Sequence, residues 1–512
     1  MANEIELKLS LPRKALPALR RHPLIVACEP QGRAVTLDNV YFDTPDLSLK
    51  RNRIALRTRK AGRRWLQTVK AAAVSTGGLS SRPEWEQSYQ GSFDFSGIDN
   101  PAIRKQLERH AALIAPVFTT RFRRETRLWA PDPHTRVLIM IDSGNVIAGD
   151  HRTPICELEL ELAAGKPRDL LRLACQLADT LPLLPDDVSK AERGFRLHLG
   201  TRPQPARAEA STIAAGMSPV EAFRTLAFAC VRQWQGNAAG AAGHDAPEFI
   251  HQLRVSQRRL RSLIGLFEPA LPGDFVAHWS DALKRNADRF GDTRDLDVLE
   301  EELLAGVQTT TAQEEAALDR LRAQVAEQRA SARKRSLAAL DAAEQGRLLI
   351  RLMSDLLELP SNDLIGSVDL RTFSALQLER LRKRCSKRLG TARDLQPAHL
   401  HALRIAFKQL RYGVEFFAPL LPKKSVTHYL DVLTRIQGGL GFINDVDVAR
   451  VRFANWSARD AGLREAAAFV CGWHGPRHAR LSRRCVREAE PLLKRNRTPW
   501  AGLCLPHRDE TA

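Results

Sequence analysis

Glu4-Ile-Glu-Leu-Lys8 and Glu157-Leu-Glu-Leu-Glu161 decide how the first part of the chain reads. In each stretch charged and aliphatic residues alternate, so one face of an extended chain is charged and the other carries only Ile or Leu. Both read as β-strands with the apolar face packed outward. The same texture recurs downstream. Arg57 and Arg59 share a face opposite Ile54 and Leu56, and a strand beginning at Trp65 ends at Lys70. Arg82, Glu84 and Glu86 share another face, as do Arg121, Arg123, Glu125 and Arg127. A half-solvated sheet explains any one such strand. Charged faces on strand after strand, acidic in some and basic in others, are explained together by a closed antiparallel β-barrel with a charged lumen, because closure forces alternate residues inward. Crowded carboxylates there are the hard oxygen donors that hold Mg²⁺ or Mn²⁺, and the bases suit a polyanion.

At 512 residues the chain exceeds one ordinary core, and a 44% hydrophobic content is enough for several. The stretch Thr201 to Ser211, rich in Pro, Ala and charge, has linker composition. Before it alternation dominates; after it Leu, Ala and Arg recur at helical spacing. The expected organisation is therefore multidomain: an N-terminal α+β barrel domain over 1–200, a linker over 201–214 and an all-α domain over 215–495. A fragment ending near Arg202 is expected to fold and act alone. The eight cysteines are scattered without a Cys-x-x-Cys pair and read as free thiols of a reducing compartment. The most apolar stretch, Ile213 to Cys230, is broken by Pro219, Glu221 and Arg224, and Glu4 arrives too early for a signal peptide. A cytoplasmic protein without membrane attachment is expected.

The pieces Glu4 to Lys8, Tyr41-Phe-Asp-Thr44, Leu56-Arg-Thr-Arg59, Lys70, Arg82 with Glu84 and Glu86, Asp142, Glu157 to Glu161 and Ser189-Lys-Ala-Glu-Arg-Gly194 occur in one order along residues 1–200. That ordered set resembles the CYTH domain family of triphosphate tunnel metalloenzymes. The resemblance implies an eight-stranded tunnel in which Glu4, Glu6, Asp142, Glu157, Glu159 and Glu161 serve a divalent metal, Mg²⁺ or Mn²⁺. It implies that Arg57, Arg59, Lys70, Arg82, Arg121, Arg123 and Arg193 grip a linear triphosphate, and that Lys8 and Lys190 join Glu4 and Glu6 in catalysis. By parity Arg121 and Arg123 fall on the same face.

The second half repeats itself. His251-Gln-Leu-Arg254 with Arg258 and Arg261 returns as His401-Ala-Leu-Arg404 with Lys408 and Arg411, an offset of 401 − 251 = 150. Gly291-Asp-Thr-Arg-Asp-Leu-Asp297 returns as Gly441-Phe-Ile-Asn-Asp-Val-Asp447 at the same offset, 441 − 291 = 150. A constant offset indicates a duplicated helical unit. Positions i, i+3, i+7 and i+10 form one narrow helical stripe, so each copy presents a histidine followed by three bases, while Leu253, Leu260, Leu263, Ile264 and Phe267 face a core. These helices, with the Asp-Leu-Asp and Asp-Val-Asp turns, resemble the CHAD domain. The resemblance implies two pseudo-symmetric four-helix units around a basic groove that binds inorganic polyphosphate. Lys408 stands where an arginine is usual, keeping the charge but not the planar fork. Asp295, Asp297, Asp445 and Asp447 are expected to cap helices or orient arginines.

Net charge is consistent with that expectation: 78 Lys and Arg against 59 Asp and Glu give +19. Such a surplus seeks polyanions. Aromatic residues are only 6% and no platform for stacking bases is apparent, so polyphosphate fits better than a specific nucleic acid. Taken together, the sequence points to a cytosolic, metal-dependent inorganic triphosphatase with a polyphosphate-binding helical domain, a combination that polyphosphate granules would recruit. Thiamine triphosphate hydrolysis or adenylyl cyclisation in the same tunnel is the alternative chemistry. A non-enzymatic granule tether is the alternative role.

Overall fold

The computed structural model describes residues 3–61, 64–71, 74–243, 247–360 and 368–503. Eight strands close the barrel of the N-terminal unit, β1 (Asn3–Ser10), β2 (Val35–Asp43), β3 (Ala55–Ala61), β4 (Arg64–Lys70), β5 (Leu79–Ser88), β6 (Ala115–Asp132), β7 (Thr135–Ala148) and β8 (His151–Ala164), and the short strands Glu29–Pro30, Val74–Thr76 and Leu184–Pro185 add to the sheet. The eight pair antiparallel in the order β1-β8-β7-β6-β2-β3-β4-β5, and β5 pairs back onto β1, so the sheet closes on itself. Closure sends alternate residues to the lumen. The outward Leu7, Leu9, Leu158 and Leu160 are fully buried, and the Pro167–Ala178 helix packs against β1 and β8. Outside β3 to β5, Leu56 and Val69 pack with Leu107 of the Pro101–His110 helix. An aromatic cluster of Tyr41, Phe118 and Phe122 joins Phe195 of the Lys190–Leu199 helix, with Tyr41 and Phe118 stacked at 4.6 Å. That helix thereby carries Lys190 and Arg193 to the barrel.

The C-terminal unit is entirely helical among its described residues. Its first four-helix set is Pro219–Gly243, Pro247–Phe267, Gly273–Asp288 continued by Gly291–Val298, and Ala312–Ala339; the second is Leu370–Ala392, Pro397–Phe417, Lys423–Arg459 and Arg464–Leu492. The duplication is visible in the element bounds, since 397 − 247 and 417 − 267 are both 150. Phe267 and Phe417, equivalent in the two copies, touch with ring centroids 5.5 Å apart, which puts them at the pseudo-symmetry axis. The copies differ in the third helix, broken before Gly291 in the first and continuous over 37 residues in the second.

The units divide as Met1–Pro205 with Leu340–Glu358, and Ala206–Ala339 with Leu359–Ala512. One segment thus departs from the expected division: the Ala342–Glu358 helix, read from sequence as part of the helical domain, packs on the barrel unit against the Pro167–Ala178 helix. Among the described residues no helix is long and apolar enough to cross a membrane, and all seven described cysteines are free thiols.

Candidate active site and anion-binding face

Strand register brings the lumen together. Glu6 lies opposite Glu161 and Lys8 opposite Glu159. Asp142 faces Glu157 on one side and Arg124 on the other. Across the barrel, Tyr41 pairs with Arg57, Asn39 with Arg59, and Lys70 with Glu84. The lumen cavity is about 540 Å³ and is lined by Glu4, Glu6, Glu159, Glu161, Arg57, Arg59, Lys70 and Arg124 among others. A volume of this order suits a small-molecule ligand.

On β6 the sequence-based expectation needs correcting. Arg121 and Arg123 point outward, their side chains 70% and 58% exposed, with Arg121 3.3 Å from Asp38 and Arg123 3.8 Å from Glu125. The inward parity is that of Phe118, Thr120, Phe122 and Arg124: the two rings join the aromatic cluster, and Thr120 accepts a 2.9 Å hydrogen bond from Asn39. Arg124, which the alternation argument passed over, is therefore the β6 base in the lumen. The Arg82 side chain lies outside the described residues; its backbone pairs with Glu4.

Ion pairs split the six acidic candidates into two groups. Asp142, Glu157 and Glu159 offer carboxylate oxygens within 4.8 Å of one another, a spacing that could hold a cation. The Lys190 ammonium already sits among them, 2.7 Å from Asp142 and 2.9 Å from Glu159 and in contact with Glu157. Arg124 binds Asp142 at 2.6 Å and also pairs with Glu159, while Arg193 bridges Glu157 (2.7 Å) and Asp186 (2.6 Å). Burial disfavours the charge on Lys190, and Asp142, Glu157 and Glu159 more than offset it, so the ammonium stays protonated. The second group, Glu4, Glu6 and Glu161, lies on neighbouring positions of β1 and β8. Lys70 bridges Glu4 (2.9 Å) and Glu84 (2.7 Å) there, and Ser80 donates to Glu6 at 3.3 Å. Burial, followed by the charges of Glu4 and Glu6, raises the Glu161 carboxyl above the usual range.

The opposite wall crowds positive charge. Arg59 is pulled down to about 10 by burial and then by Arg57 and Arg124, while its Nε donates to Asn39 at 3.0 Å. Lys8 donates to the Val188 carbonyl at 2.6 Å. Asp186 and Asp187 also line the cavity. They escaped the sequence reading because they lie on an irregular segment with no periodicity to betray them.

In the helical unit the two predicted stripes converge. Burial and then Arg258, Arg404, Arg411 and Arg254, from both copies, hold the Lys408 ammonium well below its ordinary range. Arg254 Nη1 and Arg261 Nε are buried without a hydrogen-bond partner. His251 is lowered to about 4 by burial and then by Arg294, whereas its counterpart His401 is exposed and bonds Asn444 at 2.5 Å. A cavity of about 830 Å³ borders His251, Lys408 and Arg411. The four aspartates lie within helices and so cap none: Asp297 holds Arg329 at 2.6 Å, Asp447 holds Arg450 at 3.2 Å, and Asp295 lies 3.6 Å from Arg452. Asp445 is bonded by Asn444 at 3.2 Å.

Residues 2–195 match the CYTH domain model and residues 225–454 the CHAD domain model. An inorganic triphosphatase from Haemophilus influenzae is 29% identical over 216 residues, covering 38% of this chain and 55% of that protein, so the chain spans about half the length of this curated relative. The CHAD domain of the plant Ricinus communis is similar with a TM-score of 0.50 and 28% identity, over 57% of this chain and 96% of its own. A Hippeastrum protein assigned as an adenylyl cyclase and reported to have a dominant triphosphatase activity is 18% identical, with a TM-score of 0.30 over 39% of this chain and 97% of its own.

Proposed function

We propose that this chain, a CYTH domain joined to a CHAD domain, hydrolyses inorganic triphosphate to pyrophosphate and phosphate in its tunnel, using a divalent metal, and binds polyphosphate on its helical unit. The observation that carries the proposal is charge segregation. In one part of the lumen burial and then the charges of Glu4 and Glu6 raise Glu161, and in another burial and then Arg57 and Arg124 lower Arg59. Like charges held together in one cavity are unfavourable unless a ligand of opposite sign relieves each group. A cation beside the acids and a polyanion beside the arginines would relieve both.

Glu4, Glu6 and Glu161 would hold the metal, since carboxylate oxygens are the donors that Mg²⁺ and Mn²⁺ take. Asp142 and Glu159 are committed to Lys190 and Arg124, and Glu157 to Lys190 and Arg193. When bound, such an ion supplies Lewis acidity and neutralises phosphate oxygens. Arg57 and Arg59, beside the paired Arg124, align the phosphate chain and balance charge building on the leaving pyrophosphate as water attacks the terminal phosphorus. Lys70 and Lys8 flank the acids and can take phosphate oxygens from that side. Lys190 acts through the carboxylates it organises and is a positioning residue. ATP and thiamine triphosphate carry the same triphosphate with a tail, so phosphate release from tripolyphosphate, ATP and thiamine triphosphate should be measured side by side. The expected order puts tripolyphosphate first; cyclic AMP from ATP as the main product would replace hydrolysis with cyclisation.

A further inference from the structure

We propose that the Ala342–Glu358 helix is a positioning element of the tunnel, so that the barrel unit depends on a segment the chain supplies from within its helical half. The functional arm of this proposal rests on the triphosphatase reading. The chain leaves the helical unit at Ala339, forms this helix on the barrel unit, and returns at Leu359. Leu349, Ile350, Leu352, Met353 and Leu356 are fully buried, and the helix packs along the Pro167–Ala178 helix and the Leu184–Pro185 strand.

Two contacts are close enough to constrain sequence. A Cβ on Gly346 would lie 1.7 Å from the Leu183 carbonyl oxygen, so the helix seats there only with glycine. A Cβ on Gly77 would lie 1.8 Å from the Met353 sulfur, and Gly77 has a φ of +64°, a turn conformation that favours glycine. The helix thus presses on two short segments, Gly77–Gly78 and Leu183–Leu184. Gly78 lines the lumen, and Leu183–Leu184 leads into Asp186 and Asp187, which line it as well. The Lys8 amide donates to the Gly78 carbonyl at 2.9 Å, and the Asp186 amide donates to the Lys8 carbonyl at 3.0 Å. The Gly78 amide donates to Asp187 at 2.8 Å. Asp186 in turn holds Arg193 at 2.6 Å. Met353 thus meets the residue before Gly78, and Gly346 meets residues two and three before Asp186, the groups that set Lys8 and Arg193. Close packing transmits such displacement, and small misplacements of binding groups are costly. A fragment ending near Arg202 would lose this support.

The chain contains a reporter. Cys175 lies on the Pro167–Ala178 helix, where burial pushes its thiol up to about 11 and Ser354 of the docked helix hydrogen-bonds it. In the full-length protein, Gly346→Leu should raise maleimide labelling of Cys175, mapped by peptide mass, by about tenfold, and raise the KM for tripolyphosphate about tenfold while kcat stays within about twofold. Simple loss of folded protein would lower kcat and leave KM alone, so the split separates positioning from stability. Met353→Ala, a milder change, should move both readouts the same way and decides the matter if Gly346→Leu does not fold. Cys175 labelling that rises while KM stays at the wild-type value would overturn the proposal, as would unchanged labelling in folded Gly346→Leu. A wild-type protein without triphosphate turnover would remove the triphosphatase reading alone, and the labelling would still decide whether the helix is docked.

Discussion

The tunnel and the helical face both gather buried cations, yet they treat them differently. In the tunnel, arginines and carboxylates share one cavity: part of the set is locked in pairs around Lys190, and part is left crowded by sign. In the helical unit, bases from two copies converge around Lys408, while aspartates such as Asp297 and Asp447 pair with arginines outside the stripes, Arg329 and Arg450. A cavity holding both crowded acids and crowded bases suits a metal–polyanion complex and can do chemistry on it. A face of converging bases, whose neighbouring acids are paired as Glu415 is with Arg411 at 3.0 Å, suits holding a polyanion and should do so with strong dependence on salt.

The comparison breaks most sharply at Lys190. Lys190→Met leaves Asp142, Glu157 and Glu159 buried with only Arg124 and Arg193 to offset three carboxylates, and a loss of about 3–5 kcal/mol is expected from removing one partner of a buried charge cluster. Denaturant unfolding of the full-length variant checks this. Glu6→Ala should behave in the opposite way, keeping the midpoint of unfolding while phosphate release from tripolyphosphate falls roughly 10²- to 10³-fold, as for loss of one group stabilising transition-state charge. If both variants lost stability and activity alike, the division of the acids into a structural and a metal-holding set would be wrong.

In the helical unit, Arg254→Glu combined with Arg404→Glu should weaken binding of long-chain polyphosphate by about tenfold or more and make the salt dependence shallower by roughly one logarithmic unit per cation removed. Tripolyphosphate turnover should not change. Equal losses toward duplex DNA and polyphosphate would indicate a general cation patch.

The smallest effect concerns His251. Its folded value of about 4 lies below the ordinary 6.5, so the folded protein binds fewer protons than the unfolded chain across that window. Its contribution to stability therefore rises with pH from about 4 to about 6.5 and is flat above. A polyanion beside it favours the charged imidazole, so polyphosphate affinity should strengthen a few-fold as pH falls through the same window. His251→Gln should flatten the profile, and His401→Gln, on an exposed residue bonded to Asn444, should leave it unchanged.

The parts legible in the sequence were those with a period. Alternation in β1 and β8 placed Glu4, Glu6 and Glu161 in the lumen, and the constant offset revealed helices whose bounds repeat at 150 residues. Alternation misled on β6, where Arg121, Arg123 and Arg124 put bases on both faces. There the deciding signal was apolar: Phe118 and Phe122 share parity with Arg124, and their rings fill the aromatic cluster while Arg121 and Arg123 reach solvent. The Ala342–Glu358 helix shows a different limit. Its apolar face says that it must be covered, but periodicity names no partner, and the glycine contacts that dock it on the barrel unit exist only in three dimensions.

Metal dependence tests the charge-segregated tunnel most directly. Phosphate release from tripolyphosphate by the full-length protein should vanish with a chelator, return on adding Mg²⁺ or Mn²⁺, and stay absent in Glu4→Ala under every condition. Equal release with and without chelator, or none with any divalent ion, would mean that the crowded acids do not serve a metal and that the tunnel is not a metal-dependent triphosphatase.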